Sequence, residues 1–217
     1  LRDGGSVQVD ISAHALTKYP SGGGDVLMGS IITRDNALHM RLKLAHMRLG
    51  LGVGMNDVEL VLRSLPSTAL RYHAQDKTAR QLAAALQRQN AVKQLLHPAF
   101  ASSPGHAHWQ QLCATPENPA GAAAGIFSVV FDAPQSQVDD FCNRLQLFKL
   151  GYSWGGHISL VMPYALDEMR DLGRGAVLPG CLVRLCIGLE EAADLERDVA
   201  QAYGQAFGHA WRGQGVH

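Results

Sequence analysis

The chain reads as an α/β protein, and three features predict it. Short runs rich in β-branched and aromatic residues recur along it, among them Gly125-Ile126-Phe127-Ser128-Val129-Val130-Phe131 and Leu182-Val183-Arg184-Leu185-Cys186-Ile187. Stretches with helical periodicity separate those runs. Glycine and proline clusters punctuate the boundaries, and no internal repeat is visible.

Taken in order, residues 7–11 alternate apolar and polar and read as a strand that ends at the loop around Lys18. Residues 26–33 read as a second, buried strand. Asp35 and Asn36 can cap a helix over 37–48, with Leu38, Leu42, Ala45 and Leu49 on one face. Gly50, Gly52 and Gly54 then form a hinge. They lack the third glycine of a dinucleotide-binding fingerprint and follow a helix, not a strand. Asn56-Asp57-Val58-Glu59 has the form of a capping box for a helix through Leu65. Pro66 suits the first turn of the next helix, which runs to about residue 89 with Leu70, Ala74, Ala79, Leu82 and Leu86 as its stripe.

Residues 92–97 form a short strand ended by Pro98. His106 and His108 mark a loop or a helix start. Residues 116–125, rich in Pro, Ala and Gly, read as a flexible insertion. A strand follows over 125–131. Ser136 can cap a helix over 137–145, with Asp139 near its positive end. Short strands are expected over 147–150 and 158–162, a helical turn over 166–172 and a loop over 174–180. A strand over 182–188 carries Arg184 in its middle. Glu190 and Glu191 open the last helix, with Leu195, Val199, Ala202 and Tyr203 inward, and 208–217 form a tail.

The 217 residues suffice for one large domain, or a domain plus part of another. The hydrophobic content of 47% and charged content of 18% are globular values. The formal charge is zero, so the whole chain offers no field for nucleic acid or an anionic membrane. No apolar run is long enough to span a bilayer and no secretory leader is visible. The chain opens on Leu1 and a loop-like stretch, which suggests a fragment lacking its upstream part. Cys113, Cys142, Cys181 and Cys186 form no C-x-x-C pair and read as free thiols of a cytosolic protein. No metal site is expected. His106 and His108 lack a third ligand at a suitable spacing, and His39 and His46 lie two helical turns apart.

Three constellations carry chemistry. In Thr17-Lys18-Tyr19-Pro20-Ser21-Gly22-Gly23-Gly24, a lysine stands between a short apolar run and three glycines. Partial loss of hydration there favours the neutral amine, the form that attacks a carbonyl; the plainer reading is a surface lysine beside a turn. Gly151-Tyr152-Ser153-Trp154-Gly155 is a literal G-x-S-x-G, the nucleophile elbow of serine hydrolases, for which a triad of Ser153, Asp167 or Asp194, and His209 can be written. The expected strand directly after it argues against an elbow. Arg184, in an apolar strand, needs a partner: either a carboxylate of the fold, with Glu190 a candidate, or one that arrives with a substrate.

The segment from Asp10-Ile11 through Thr17-Lys18-Tyr19, then Gly22, Asp25-Val26 and Gly29, resembles the cofactor-lysine segment of the Cys/Met-metabolism enzymes that depend on pyridoxal phosphate (PLP). Ala15 stands where that family has serine, and Gly23 where it has histidine. Val61-Leu62-Arg63-Ser64-Leu65 through Arg71 resembles the family's linking-helix motif, and Gly105-His106-x-x-Trp109 its Gly-His-x-x-Trp/Tyr. Tyr152-Ser153-Trp154-Gly155-Gly156 is similar to the pocket segment of bacterial cystathionine β-lyases, with Ile158 where a glutamate usually lies. Leu182-Val183-Arg184-Leu185-x-Ile187-Gly188-Leu189-Glu190 resembles the family's carboxylate-arginine strand.

The resemblance runs from Val9 to about Ala206 and implies the C-terminal half of an aspartate-aminotransferase-like, fold type I PLP enzyme. Residues 1–65 would end the PLP-binding large domain, and 66–217 would be the linking helix and small C-terminal domain. It implies Lys18 as the Schiff-base lysine, Thr17 as a phosphate contact, and Tyr152, Ser153, Trp154 and Arg184 as substrate-binding residues. It implies a cytoplasmic trans-sulfuration lyase acting on an S-linked amino acid such as L-cystathionine, in methionine biosynthesis, and a homotetramer built as a dimer of dimers. A γ-lyase, a γ-synthase or a cysteine-S-conjugate lyase is the alternative within the family.

Overall fold

The computed structural model describes residues 9–166 and 180–213. These form two compact units, divided between Thr68 and Ala69. The expected helical turn over 166–172 and loop over 174–180 fall almost wholly outside the described residues, as do Val7, Asp167 and the end of the tail.

In the first unit, strands β1 (Ser12–Ala15) and β2 (Gly29–Ile32) form an antiparallel hairpin in which Ser12 faces Ile32 and Ala15 faces Gly29. The first strand thus begins after the 7–11 stretch expected to form it. The second is shorter than expected and largely exposed, whereas a buried strand was expected. Two four-residue strands offer too little apolar area to bury each other. Helix α1 (Asn36–Arg48) starts as expected, with the Asp35 carboxylate accepting from Leu38 N at 2.6 Å. Only Leu38 and Leu42 of its anticipated face are even half-buried. Helix α2 (Met55–Ser64) is capped by Gly54 without a side-chain bond, so the capping box at Asn56 does not form. A 3₁₀ turn (Leu65–Ser67) containing Pro66 follows.

The second unit is built on a five-stranded sheet of order β3-β4-β7-β6-β5. Its strands are β3 (Val92–Leu96), β4 (Ile126–Phe131), β5 (Lys149–Leu150), β6 (Leu160–Tyr164) and β7 (Cys181–Cys186). All pairs are antiparallel except β5 with β6. Helices α3 (Thr68–Gln87), α5 (Gln135–Arg144) and α6 (Ala192–Phe207) join Phe127, Val129, Phe131, Val161, Val183 and Leu185 in one apolar core. These strand positions are odd-numbered, so each strand turns one face to the helices. The inward residues expected of the last helix, Leu195, Val199, Ala202 and Tyr203, are all fully buried.

Four expectations change here. The stripe of α3 holds from Ala79 to Leu86, but Leu70 is 76% exposed and Ala74 is also exposed, while Gln75 and Asp76 are buried. The reason is polar: both buried side chains have backbone partners elsewhere in the unit. The expected flexible insertion is tied down. Arg80 pairs with Asp76, donates to Ala120 O and Gly121 O, and lies over the Trp109 ring, while Asp76 accepts from Ala123 N. Helix α4 (His106–Cys113) opens at His106 behind a left-handed Gly105, and α5 is capped by Pro134, not Ser136. Residues 208–213 are no loose tail: Gln89 and Arg212 exchange two hydrogen bonds, and Trp211 packs edge-on against Tyr203.

His97 is fully buried between Phe100 and Phe127 and accepts from Ala99 N through Nδ1, which leaves Nε2 with no partner among the described residues. Burial, and then the nearby Arg80 charge, push its pKa down to about 4 from 6.5. Above pH 6.5 both folded and unfolded chains hold it neutral. As pH falls from 6.5 towards 4, the unfolded chain takes up a proton that the folded chain refuses, so stability falls. The full loss is about 3 kcal/mol. Urea unfolding at pH 7 and pH 4.5 is expected to show a smaller drop in His97→Phe than in the unsubstituted chain.

Candidate active site

In the first unit, Lys18 does not end a strand. It sits in the turn over 16–21 that follows β1, and it is half-buried. The turn is closed by backbone bonds: Lys18 N donates to Ala15 O at 3.2 Å, Gly22 N to Lys18 O at 2.9 Å and Ser21 N to Leu16 O at 2.9 Å. Thr17 ties the turn across to the β2 arm, its Oγ1 donating to Met28 O at 3.3 Å and accepting from Met28 N at 3.1 Å. The lysine backbone is therefore fixed on both sides, and its neighbour Thr17 lines a cleft of about 840 Å³ with His14, Met28, His39 and Lys43.

In the second unit, Arg184 sits mid-strand in β7, opposite Met162 of β6 and Ser128 of β4. Its even-numbered position turns it away from the helix-covered face, and it is half-buried. Nη2 donates to Gly151 O at 3.1 Å and Ser153 O at 3.4 Å. The guanidinium lies 5.8 Å from the Trp154 ring centroid and 5.7 Å from that of Tyr164, and Tyr152 meets Tyr164 edge-on. Two aromatic faces and two carbonyls thus orient the cation. Among the described residues no carboxylate pairs with it, and its Nε and Nη1 have no acceptor. The structure brings together Tyr152, Ser153, Trp154 and Arg184, while Lys18 and Thr17 belong to the first unit.

Glu190 is not the partner of Arg184. It accepts from Ser159 N at 2.7 Å and Ser159 Oγ at 2.8 Å, and Ser159 Oγ in turn accepts from Gly188 N at 2.9 Å. Gly188 permits this, because a Cβ there would lie 2.4 Å from His157 O and 2.5 Å from Glu190 Oε2. The elbow reading of Ser153 also fails. Residues 155–158 form bends that lead towards β6, so no helix follows the serine, and Asp194 pairs with Arg197.

Two residues at this site were not anticipated. Tyr164 could have been, since it alternates with Met162 on the strand beside Arg184. Gln75 could not: nothing in a helical stripe marks a glutamine that reaches across the unit. Its Nε2 donates to Gly156 O at 2.6 Å and Ile187 O at 3.1 Å, while its Oε1 is buried without a partner among the described residues. The amide orientation follows from its partners, because the reverse would set oxygen against two carbonyl oxygens. Each bond contributes about 1 kcal/mol and the orphaned oxygen costs about 1–3 kcal/mol, so the net contribution to stability is small.

A profile of the family described as Cys/Met metabolism PLP-dependent enzyme matches residues 5–204. The chain belongs to this family. It is 36% identical over 199 residues to cystathionine beta-lyase of Bordetella avium, covering 90% of this chain and 48% of that protein. It is 37% identical over 204 residues to a putative cystathionine beta-lyase of Rhizobium johnstonii, covering 91% and 49%. Among solved structures, cystathionine gamma synthase from Xanthomonas oryzae pv. oryzae in complex with cystathionine superposes with a TM-score of 0.78 at 30% identity, over 92% of this chain and 51% of that one. The chain spans about half the length of the relatives it matches.

The architecture is accordingly that of fold type I PLP-dependent enzymes, the aspartate-aminotransferase-like fold, and PLP is the family's cofactor. The lysine turn fits that group: a half-buried amine-bearing side chain stands on a backbone pinned from both sides. Glu190→Ala would leave the fully buried Ser159 donors without their acceptor. A loss of about 3 kcal/mol is expected in urea unfolding, since bonds to a charged acceptor are the strong ones.

Proposed function

We propose that this chain carries the substrate-binding half of a PLP-dependent carbon–sulfur β-lyase that cleaves L-cystathionine to homocysteine, pyruvate and ammonia. The observation that carries this reading is Arg184, oriented by two rings and two carbonyls, with Nε and Nη1 left for a carboxylate. The two β-lyase relatives at 36% and 37% identity support the β-elimination.

The roles follow from the groups. Arg184 takes the substrate α-carboxylate bidentately, and Tyr152, Ser153 and Trp154 shape the walls that receive it. Lys18 would hold PLP through Nζ, and the same nitrogen, as a free amine, would take the proton from the substrate Cα. PLP, when bound, supplies the electron sink for that carbon. The thiolate leaves from Cβ. Thr17 contributes a phosphate contact through the hydroxyl that here bridges to Met28. In this reading residues 1–65 end the PLP-binding large domain and 66–217 supply the linking helix and the small domain. The complete enzyme is a cytoplasmic dimer of dimers in methionine biosynthesis. Among the described residues, no helix is long and apolar enough to cross a membrane.

The γ-synthase likeness supports a second reading, chemistry at Cγ. Product analysis separates the two: β-elimination of L-cystathionine yields homocysteine and pyruvate, whereas γ-elimination yields cysteine and 2-oxobutyrate.

In the complete protein, Lys18→Ala is expected to abolish the absorbance that covalently held PLP gives near the visible edge; its retention would remove Lys18 from the mechanism. Arg184→Lys, which keeps the charge but loses the fork, is expected to raise KM for L-cystathionine by about tenfold or more in steady-state assays. The 217 residues alone are expected to bind PLP poorly and turn over weakly or not at all, a prediction that titration with PLP followed by absorbance checks.

A further inference from the structure

The turn over 151–156 holds the Arg184 guanidinium through two of its carbonyls and lays Trp154 over it. Its own placement therefore matters as much as the arginine. One hold on the turn is the guanidinium itself, the group assigned above to the substrate carboxylate. Gly151 N also ties it to Val161 O at 3.2 Å, and a side chain of α3 reaches its far end. Gln75 of α3 donates through one nitrogen to Gly156 O, two residues past Trp154, and to Ile187 O, three residues past Arg184. A single amide group thus sets the spacing between the strand that carries the arginine and the turn that caps it. Gly155, just before the carbonyl that Gln75 meets, is left-handed at φ +79°, a conformation glycine adopts without strain.

We propose that Gln75 is a positioning residue that keeps the Ser153–Trp154 turn in register with Arg184, and so sets affinity for the substrate carboxylate; this rests on the carboxylate role assigned to Arg184 above. Its orphaned Oε1 is consistent with that role. The side chain adds little net stability, since it leaves one buried acceptor unmet to meet two others. What it secures is position. Of the other links along this segment, Leu189 N to His157 O and Glu190 to Ser159 lie beyond the turn, while Gly151 N to Val161 O holds its near end.

The test uses Gln75→Met, similar in length and without donors. In the complete holoenzyme with L-cystathionine, KM is expected to rise about tenfold with kcat within about twofold, because carboxylate capture, not proton transfer at Cα, is loosened. Gln75→Glu, which sets a carboxylate against two carbonyls, is expected to be worse. An unchanged KM, or a fall in kcat alone, overturns the proposal. A second measurement does not depend on the assigned reaction: amide hydrogen exchange in the 151–156 segment against helix 192–207. Exchange is expected to rise about tenfold or more in the first and stay unchanged in the second. No change in the first, or an equal rise in both, overturns it. If the unsubstituted holoenzyme does not cleave L-cystathionine, the lyase reading fails while the exchange result still decides the role of Gln75. Should Gln75→Met not fold, Gln75→Asn, whose donors fall one methylene short, is read the same way.

Discussion

The second unit depends on the two-residue alternation of β7, the central strand of the sheet. Val183 and Leu185 turn to the helices and are fully buried, while Arg184 between them turns to the opposite face. A guanidinium on the helix side would sit in a core of Phe127, Val129, Val199 and Tyr203 with nothing to solvate it. On the half-buried side, aromatic faces and backbone carbonyls replace part of its water. The same alternation that builds the core therefore presents the cation, and a slip of one residue in register would exchange the two.

The turn beside that cation is defined by backbone groups more than by side-chain identity. Gly151 O and Ser153 O meet the arginine, Gly156 O meets Gln75, and His157 O meets Leu189 N. Glu190 and Ser159 close the segment as it enters β6. Ser153, despite its G-x-S-x-G surroundings, stands in a loop that runs on through bends into β6 and not at a strand-to-helix elbow.

The lysine turn of the first unit is built on the same principle. Thr17 spends its hydroxyl on Met28 and so joins the two arms of the hairpin, while Gly22 N and Ser21 Oγ close the turn on the lysine carbonyl. Val26 and Val61 are the well-buried apolar side chains of this unit among the described residues. Its order rests on local hydrogen bonds, in contrast to the packed core of the second.

Much of this was legible beforehand. Periodicity placed the strands around Phe127 and Leu185 and the inward face of the last helix, because burial on one side forces a period of two or 3.6. The motifs around Lys18, Ser153-Trp154 and Arg184 marked the residues now seen on the lysine turn and around the guanidinium. Helix starts at Asn56 and Ser136 were misplaced, since a capping side chain competes with backbone geometry that sequence alone does not reveal. What the sequence by itself determined were the local elements and the identity of the charged groups, which follow from side-chain chemistry and short-range spacing. Only the tertiary structure decided the partners: Glu190 with Ser159, not Arg184; Tyr164 over the guanidinium; Gln75 behind the turn. Those contacts join residues tens of positions apart, and their geometry exists only once the sheet has fixed which backbone carbonyls face which side chains.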